Sequence, residues 1–462
     1  MEKETSLLAT SSMAIDVMES RARVRRGHLR CQIGEHVAFS TEGLETYCFK
    51  NWEPVVYDAL LLAAAVEFAD RIQHRSGLKW DRQLELRIPV HDPDRWNDAK
   101  VSAALHDALD FLTGDQWEIS FRERTRPVDA VQQQRFELPA GITTVIPFSD
   151  GLDSLAVAGL AAKELGDKLI LVRLGSKGSD TWPSRRYRYP FTSVPYSVRP
   201  GTRRFVESSA RSRGFKFALI CGLAAYLAKA GQIIVSESGQ GSLGPALVTV
   251  GQAYEDYRSH PLFTNRMEKL LAAILQHDVS FQFPRIWHSK AETLATFIEQ
   301  CGSSAWVGTL SCWQQNRQVS VEGKRRQCGI CAACMLRRMS IHAARLTESK
   351  ETYVWEDLTA STFEQGAAPS FPSHKITGKM KQYAIAGALH LDHLAGLRTS
   401  AANTRTLDLN VFQLSRSMEL PEQDVQQKLN RLLIQHEKEW KAFVRSLGQN
   451  SFVANWAIEA NL

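Results

Sequence analysis

A short turn between an apolar run and a helical segment constrains the fold of this chain more than any other feature. The run Ile142–Phe148 predicts a buried strand, and Leu155–Glu164 has helical character. The amides of a first helical turn have no internal acceptor, and the helix dipole adds positive potential there. A strand, a glycine-containing turn and a helix therefore predict an anion site. The turn consists of Ser149, Asp150, Gly151, Leu152, Asp153 and Ser154.

The side chains of this turn suit a phosphate. Gly151 lets the backbone approach an anion closely, and Ser149 and Ser154 supply hydroxyl donors. Asp153 can hold a magnesium ion that bridges phosphate oxygens. The turn is not a Walker loop, because no lysine followed by serine or threonine comes after spaced glycines. An ordinary helix with an acidic first turn is the alternative interpretation.

A cysteine cluster is the second strong feature. Cys328, Cys331 and Cys334 are separated by two-residue spacers, and Cys312 lies upstream. Four thiolates can close a tetrahedral zinc site and leave no open position, so the pattern predicts a structural zinc ion. Buried apolar thiols and redox or sulfur-transfer chemistry are the alternatives. The remaining cysteines show no ligand spacing: Cys31, Cys48, Cys221 and Cys301.

Strands and helices alternate in the middle of the chain. Apolar runs predict parallel strands at Ile142–Phe148, Lys168–Leu174 and Gln232–Val235, with helices Leu152–Leu165 and Phe215–Ala230 between them. This order predicts an α/β fold with a doubly wound, mostly parallel sheet, in which ligands bind beyond the carboxyl ends of the strands.

The flanks predict further domains. We expect a flexible tail over residues 1–20, an α+β domain over 21–139 that docks a partner or caps the active site, a core over 140–345 and a helical region over 346–462. The predicted N-terminal strands lie within Arg23–Phe39, Thr46–Phe49, Gln83–Pro89 and Trp117–Arg122, and the helices at Pro54–His74 and Ala99–Leu112. The predicted C-terminal helices are Asp408–Arg416, Pro421–Leu433 and Glu437–Leu447.

Three motifs together resemble one family. The turn is similar to the pyrophosphatase loop, usually SGGxDS, with Asp150 where glycine is usual. Ser311-Cys312 with Cys328–Cys334 and Arg337 resembles an SC…CGxCxxCxxR motif, and Trp287–Thr293 resembles a W-x-x-K-A-E-T segment. In this order they resemble the 7-cyano-7-deazaguanine synthase family, QueC, over about residues 141–345.

The resemblance implies that ATP is split into AMP and pyrophosphate. Ser149, Gly151 and Ser154 would cradle pyrophosphate, Asp153 with Asp150 would hold magnesium, and Lys290 would neutralise phosphate or carboxylate charge. It also implies weaker candidates, namely Arg173 and Gly175 for adenine and ribose, and Arg211 and Arg213 for the substrate. Glu237, at the end of a predicted strand, and Arg266, before a long helix, are further substrate candidates. A surface residue is the alternative for the four arginines and Gly175.

In the resembled family the activated group is the carboxylate of 7-carboxy-7-deazaguanine, which ammonia converts to an amide and then a nitrile. This chain departs from the family in Ser238–Pro245, where an aspartate-bearing loop is usual, in the basic loop Lys324–Arg326, and in its long flanks. Such a layout resembles the QueC-like component of the Qat antiphage defence system. It implies a bulkier amine, such as the amino terminus of a partner protein from the same operon.

Two other functions stay open at this point. One is a nucleic-acid-modifying enzyme, weakly favoured by the basic loop and by the basic stretch Arg21–Arg30, although a solvated strand face explains that stretch as well. The other is a nucleotide-binding scaffold without catalysis, in which Asp150 weakens ATP binding.

Composition narrows the class of protein. No apolar run approaches the ~20 residues that a membrane span needs, and residues 1–20 lack the pattern of a secretory signal, so we expect a cytoplasmic protein without membrane contact. A net charge of +6 suits ATP and does not establish nucleic-acid binding.

Overall fold

The computed structural model describes residues 12–20, 23–41, 53–75, 81–126, 141–173, 194, 196–207, 210–251, 254–302, 304–313 and 319–457. The chain divides into two compact units, each assembled from three separate stretches. Unit one comprises Met1–Phe148, Leu165–Val235 and Leu262–Gln282, and unit two comprises Ser149–Glu164, Ser236–Pro261 and Phe283–Leu462. The predicted domains are continuous ranges, whereas these units each combine separate stretches of the chain. The units therefore do not test the predicted ranges, which stay a prediction.

Unit one is a mixture of strands and helices. Its strands are β1 (Ser12–Met18), β2 (Leu29–Gln32), β3 (Val37–Phe39), β4 (Gln83–Val90), β5 (Gln116–Glu123), β6 (Thr144–Pro147), β7 (Leu169–Val172), β8 (Tyr196–Val198), β9 (Gln232–Ile234) and β10 (Ser280–Gln282). Its helices are α1 (Pro54–Ile72), α2 (Pro93–Trp96), α3 (Ala99–Thr113), α5 (Arg213–Ala228) and α8 (Pro261–Leu275). The predicted strand Thr46–Phe49 lies outside the described residues.

The N-terminal sheet has the order β2-β1-β4-β5, and every pair in it is parallel. Helix α3 connects β4 to β5, as a parallel pair requires a crossover. The predicted α+β class of this region is therefore corrected to a parallel α/β arrangement. Helix α1 is buried over most of its length and packs against β4 and α5, which explains its run of alanines and leucines.

The prediction of a flexible tail over residues 1–20 is wrong for residues 12–18. They form β1, an inner strand in which Ile15 is paired with Leu29 on one side and Leu86 on the other. Ile15 and Val17 are buried. The signal was missed because a seven-residue run interrupted by Asp16 shows little periodicity, and neighbouring strands supply its hydrogen bonds and cover.

A second parallel sheet carries the predicted core strands in the order β10-β9-β6-β7. Parallel strands are thereby confirmed at β6, β7 and β9, whereas the short strand β10 was not predicted. Helix α5 packs against β6 and β9. The Phe148 amide, directly after β6, donates to the Val172 carbonyl at 2.8 Å. The turn at 149–154 therefore begins where β6 ends, as predicted.

Unit two is mainly helical. Its helices are α4 (Leu152–Leu165), α6 (Gly239–Ser242), α7 (Gly244–Leu247), α9 (Lys290–Cys301), α10 (Ala332–Ala343), α11 (Gly378–Gly396), α12 (Thr404–Met418) and α13 (Glu422–Leu447). The strands β11 (Val319–Val321) and β12 (Lys324–Arg326) form a hairpin. The prediction of two helices, Pro421–Leu433 and Glu437–Leu447, is wrong, since α13 continues through both. The exposed Ile434 had interrupted the apolar periodicity there.

Two hydrophobic clusters hold unit two together. One surrounds the four cysteines of the CxxC cluster and includes Trp355 and Trp440. The other joins α13 and α12 to Leu243 and Ile286. Among the described residues, no helix combines the length and the apolarity that crossing a membrane demands.

Candidate functional site

The predicted anion turn folds as a tight helix entry in unit two. The Ser149 amide donates to Ser154 Oγ at 2.8 Å, and the Gly151 amide donates to Ser149 Oγ at 3.2 Å. The Leu155 amide makes the first backbone bond of α4, to the Gly151 carbonyl at 3.0 Å. Leu152 is buried and anchors the turn. The first-turn amides of α4 thus lie at a helix N-terminus that follows a parallel strand, which is the arrangement that binds anions.

Asp153 is the centre of a polar cluster. Its buried carboxylate forms an ion pair with Lys290 Nζ, and its other oxygen accepts a hydrogen bond from Ser238 Oγ at 2.9 Å. The side chains of Asp153 and Lys290 are only 9% and 8% exposed. The structure therefore joins two predicted site residues that are more than a hundred positions apart. Ser238, which lies in the altered segment Ser238–Pro245, was not predicted as a site residue.

Lys290 owes its position to a helix cap. Ser289 caps α9 in a capping box with Glu292, in which the Glu292 amide donates to Ser289 Oγ at 3.1 Å and the Ser289 amide donates to Glu292 Oε2 at 2.8 Å. The Lys290 amide donates to Gln240 Oε1 at 2.8 Å. The lysine is thus the first helical residue of α9, on a fixed backbone beside the turn.

Asp150 contacts the segment before Cys312 through its backbone, and its role in holding magnesium stays a prediction. Its backbone carbonyl accepts a hydrogen bond from the Leu310 amide at 2.7 Å, while its side chain is exposed. The bond to Leu310 ties the turn to the segment that leads to Cys312.

The four predicted zinc ligands come together. The Sγ atoms of Cys312, Cys328, Cys331 and Cys334 lie within 4.8 Å of one another, and all four cysteines are buried. The sulfurs of Cys328 and Cys334 are 3.8 Å apart. Four thiolates ~2.3 Å from a tetrahedral zinc ion would be about 3.8 Å apart, so this cluster could hold a metal such as zinc.

Backbone amides reinforce the cluster. The Cys331 amide donates to Cys328 Sγ and the Cys334 amide to Cys331 Sγ, each at 3.4 Å. Gly329 makes this turn possible, since its φ is +83° and a Cβ would lie 2.9 Å from the Trp355 carbonyl. Donors aimed at sulfur favour the thiolate, which is the form that binds metal.

The thiols of the cluster differ in their pKa values. Hydrogen bonds from the other three thiols, that of Cys328 foremost, hold the pKa of Cys312 well below its usual range. The hydrogen bond to Cys312 raises the pKa of Cys328, and burial raises the pKa of Cys334. Among these three thiols negative charge is thus favoured at Cys312, whereas a bound dication would favour the thiolate form of every ligand.

Arg337 belongs to the cluster's support. Its guanidinium is fully buried, pairs with Glu348 and donates to Thr309 Oγ1 at 2.7 Å. Glu348 also accepts a hydrogen bond from the Tyr353 hydroxyl at 2.5 Å. Arg337 therefore ties α10, which begins inside the cysteine cluster, to the segment that precedes Cys312. Nothing in the sequence identified Glu348 as its partner.

The predicted basic loop is a hairpin with one charge neutralised. Arg326 is buried and donates to Glu356 Oε1 at 2.5 Å, while Lys324 and Arg325 are exposed. One of the three charges of this loop is therefore paired within the fold, and the nucleic-acid contact stays an open alternative.

Glu237 lies in unit two near Gly241 and Arg258, which the sequence did not predict as site residues. A Cβ on Gly241 would lie 2.4 Å from Glu237 Oε2, so the carboxylate fills the space that this glycine leaves. Asp256, and then Glu237, raise the pKa of Arg258. The Arg258 guanidinium lies 5.8 Å from the ring centre of Trp313, which is 39% exposed.

The other substrate candidates belong to unit one, where each contacts another residue of that unit. Arg211 Nη1 donates to the Thr113 carbonyl at 2.9 Å, and the Arg213 guanidinium lies 5.5 Å from the ring centre of Phe217. Arg266 pairs with Asp107 at 3.0 Å.

The predicted adenine and ribose contacts fall at the end of β7. Arg173 is half-buried at that point and its carbonyl accepts from the Val194 amide, whereas Gly175 lies outside the described residues. The roles of both residues stay predictions, as do those of the three unit-one arginines.

Comparison with known proteins points to one family. A family model described as queuosine biosynthesis protein QueC matches residues 242–345. This stretch contains Trp287–Thr293 and all four clustered cysteines, and the turn at 149–154 precedes it. No curated protein matches the chain. The similarity supports ATP-dependent ligase chemistry of the pyrophosphatase type, related to 7-deazaguanines.

Proposed function

We propose that this chain activates the carboxylate of a 7-deazaguanine with ATP and transfers the acyl group to an amine. The observation that carries the proposal is the convergence of Asp153, Lys290 and Ser238 on a helix N-terminus that follows a parallel strand. An anion bound there would meet backbone amides, a hydroxyl and an ammonium group at once.

In the first step a carboxylate oxygen of the substrate attacks the α-phosphorus of ATP. The bond between that phosphorus and the bridging oxygen to the β-phosphorus breaks, and pyrophosphate leaves. Ser149, Ser154 and the first-turn amides of α4 would hold the pyrophosphate, and Lys290 would offset its charge. Because Lys290 is paired with Asp153, it is already held on the side of the turn where that charge develops.

In the second step an amine attacks the acyl carbon of the adenylate. The bond from that carbon to the phosphate oxygen breaks, AMP leaves with the electron pair, and the amine loses a proton. An ammonia-derived amide could undergo a second adenylation and lose its oxygen to give a nitrile. We propose that the altered segment Ser238–Pro245, folded as two short helices, admits a larger amine such as a protein amino terminus.

Two metals belong to this proposal. The cysteine cluster fits zinc, whose role is structural because four protein ligands leave no open position. Magnesium would be held by Asp153, with Asp150, and would offset charge on the phosphates. Both Asp153 oxygens accept from other side chains, so binding magnesium would require Lys290 or Ser238 to exchange partners.

The test is AMP release from ATP, magnesium and 7-carboxy-7-deazaguanine. Asp153→Asn should abolish it, because the amide cannot balance the charge of Lys290 or hold a cation. Asp167→Asn is the matched control, since it removes the same charge from an exposed turn after α4. Substrate-dependent AMP that survives Asp153→Asn would refute the site. ATP binding without AMP for any amine offered would favour a nucleotide-binding scaffold.

The identity of the amine can be tested separately. A defence role and a partner protein, as in the Qat system, predict a protein-linked deazaguanine when the chain is incubated with products of its neighbouring genes. Intact mass spectrometry would detect the added mass. Efficient conversion to nitrile with ammonia alone would contradict this part of the proposal, and tight, salt-sensitive binding of tRNA would favour nucleic-acid modification instead.

A further inference from the structure

The long helix α13 makes polar contacts with the backbone that carries Lys290. Arg431, Gln435 and Glu439 follow one another at intervals of four residues and so lie on one face of the helix. Arg431 Nη1 donates to the Trp287 carbonyl at 2.8 Å and to Glu292 Oε2 at 2.8 Å. This helix lies outside the stretch 242–345 that matches the family model.

Glu439 is the most confined member of this face. It is 3% exposed, and its carboxylate accepts from Ser289 Oγ at 2.5 Å, from Gln435 Nε2 at 2.8 Å and from Gln240 Nε2 at 3.4 Å. All three of these contacts need an acceptor at residue 439. One of them fixes the hydroxyl that caps α9, immediately before Lys290.

His436 fixes the second contact with Lys290. Its Nε2 lies 2.8 Å from the Leu391 carbonyl, which can only accept, so the proton is on Nε2. Nδ1 is then an acceptor and receives a hydrogen bond from Gln240 Nε2 at 2.9 Å. With its NH2 group held in this way, Gln240 turns its carbonyl oxygen towards the Lys290 amide, 2.8 Å away.

We infer that Glu439 and His436 are positioning residues, which act through Ser289 and Gln240 to hold the Lys290 ammonium against Asp153. The inference rests on the proposed function for its catalytic consequence but not for its geometry. Each link is a hydrogen bond between buried groups with defined donor and acceptor, so α13 sets the backbone from which the lysine projects. The C-terminal region thereby contributes to the proposed phosphate site through the backbone of α9.

The experiment compares Glu439→Gln with Glu437→Gln in the full chain. At position 439 the amide keeps one acceptor oxygen for Ser289 and Gln435, loses the negative charge, and turns an NH2 group towards Gln240 Nε2, which itself donates. Glu437 pairs with Arg398 and with Lys441 and serves as a matched control. The rate at which acetic anhydride labels Lys290, relative to the exposed Lys438, reports on the lysine directly. Labelling is quantified by peptide mass spectrometry, alongside zinc content and AMP release.

We expect Glu439→Gln to raise Lys290 labelling several-fold at unchanged zinc content. It should lower kcat for AMP release about 10- to 100-fold, with a smaller change in KM for ATP. Displacing a catalytic group by about 1 Å has an effect of this size on the rate. Glu437→Gln should match the wild type. Unchanged Lys290 labelling in Glu439→Gln overturns the inference.

The positioning by α13 can still be tested if the variant misfolds or if the wild type is inactive. If Glu439→Gln loses zinc or fails to fold, Ser289→Ala removes the hydrogen bond between α13 and the cap of α9, and its Lys290 labelling decides in the same way. If the wild type releases no AMP, the proposed function fails, while the labelling comparison still tests the positioning by α13.

Discussion

Gly387 packs helix α11 against the backbone of the cysteine cluster, and replacing it with alanine tests that packing. A Cβ at this position would lie 2.7 Å from the Ala332 amide nitrogen, 3.1 Å from the Cys331 carbonyl carbon and 3.2 Å from Ala332 Cα. These are backbone atoms, which cannot rotate away. The nearest falls about 0.8 Å short of the ~3.5 Å at which such contacts become favourable.

Two opposing effects decide the sign of Gly387→Ala. Alanine in a helix interior is favoured over glycine by about 1 kcal/mol. Overpacking costs about 1–3 kcal/mol, and the rigid backbone neighbours place this site at the upper end. We therefore expect the free energy of unfolding to fall by about 1–2 kcal/mol. A shift of the Cys331 backbone also exceeds the ±0.2 Å that a zinc–sulfur distance tolerates, so zinc should be lost more readily.

The assay pairs urea denaturation with zinc transfer to a chelator. Gly378→Ala is the matched control, because it lies in the first turn of the same helix with nothing within 4 Å of its Cβ. It should be neutral or stabilising and should leave zinc retention unchanged. If Gly387→Ala were as stable as Gly378→Ala and kept its zinc equally well, the close packing of α11 on the cluster would be refuted.

Other predictions address the cluster, its support and a buried histidine. Cys331→Ser should lower zinc content below one ion per chain in elemental analysis, whereas Cys301→Ser, outside the cluster, should leave it unchanged; equal content in both would count against the four-thiolate site. Arg337→Met should lower the free energy of unfolding by about 3–5 kcal/mol, because it leaves the buried Glu348 carboxylate without its cation. A loss below ~1 kcal/mol in denaturant titration would contradict this and show that water solvates Glu348. Burial lowers the pKa of His436 to about 4, so the unfolded chain binds this proton first and stability falls as pH drops from about 6.5 towards 4, by roughly 1.4 kcal/mol per unit of pKa difference. Stability measured across that range should depend less on pH in His436→Gln than in the wild type or in the exposed-site variant His393→Gln, and equal slopes would contradict the neutral, buried histidine.

Local patterns in the sequence predicted much of the candidate site. The cysteine spacing predicted a cluster, and the strand–turn–helix order predicted an anion turn at the end of β6; the structure brings together the four sulfurs and builds that turn. Lys290 was a candidate only through a resembled motif, and the structure places it against Asp153. The cysteine cluster and the turn are predictable because their geometry depends on residues that are near one another in sequence.

Other features depended on contacts between distant residues. β1 is an inner strand because two neighbours pair with it, although its own residues show little pattern. The contacts of Lys290 with Asp153 and of Ser289 with Glu439 join positions 137 and 150 residues apart, which no spacing rule relates. The sequence alone determined which groups are chemically able to bind phosphate and metal. The tertiary structure alone decided which of them share a buried site, because burial and hydrogen-bond partners arise only when separate stretches of the chain pack together.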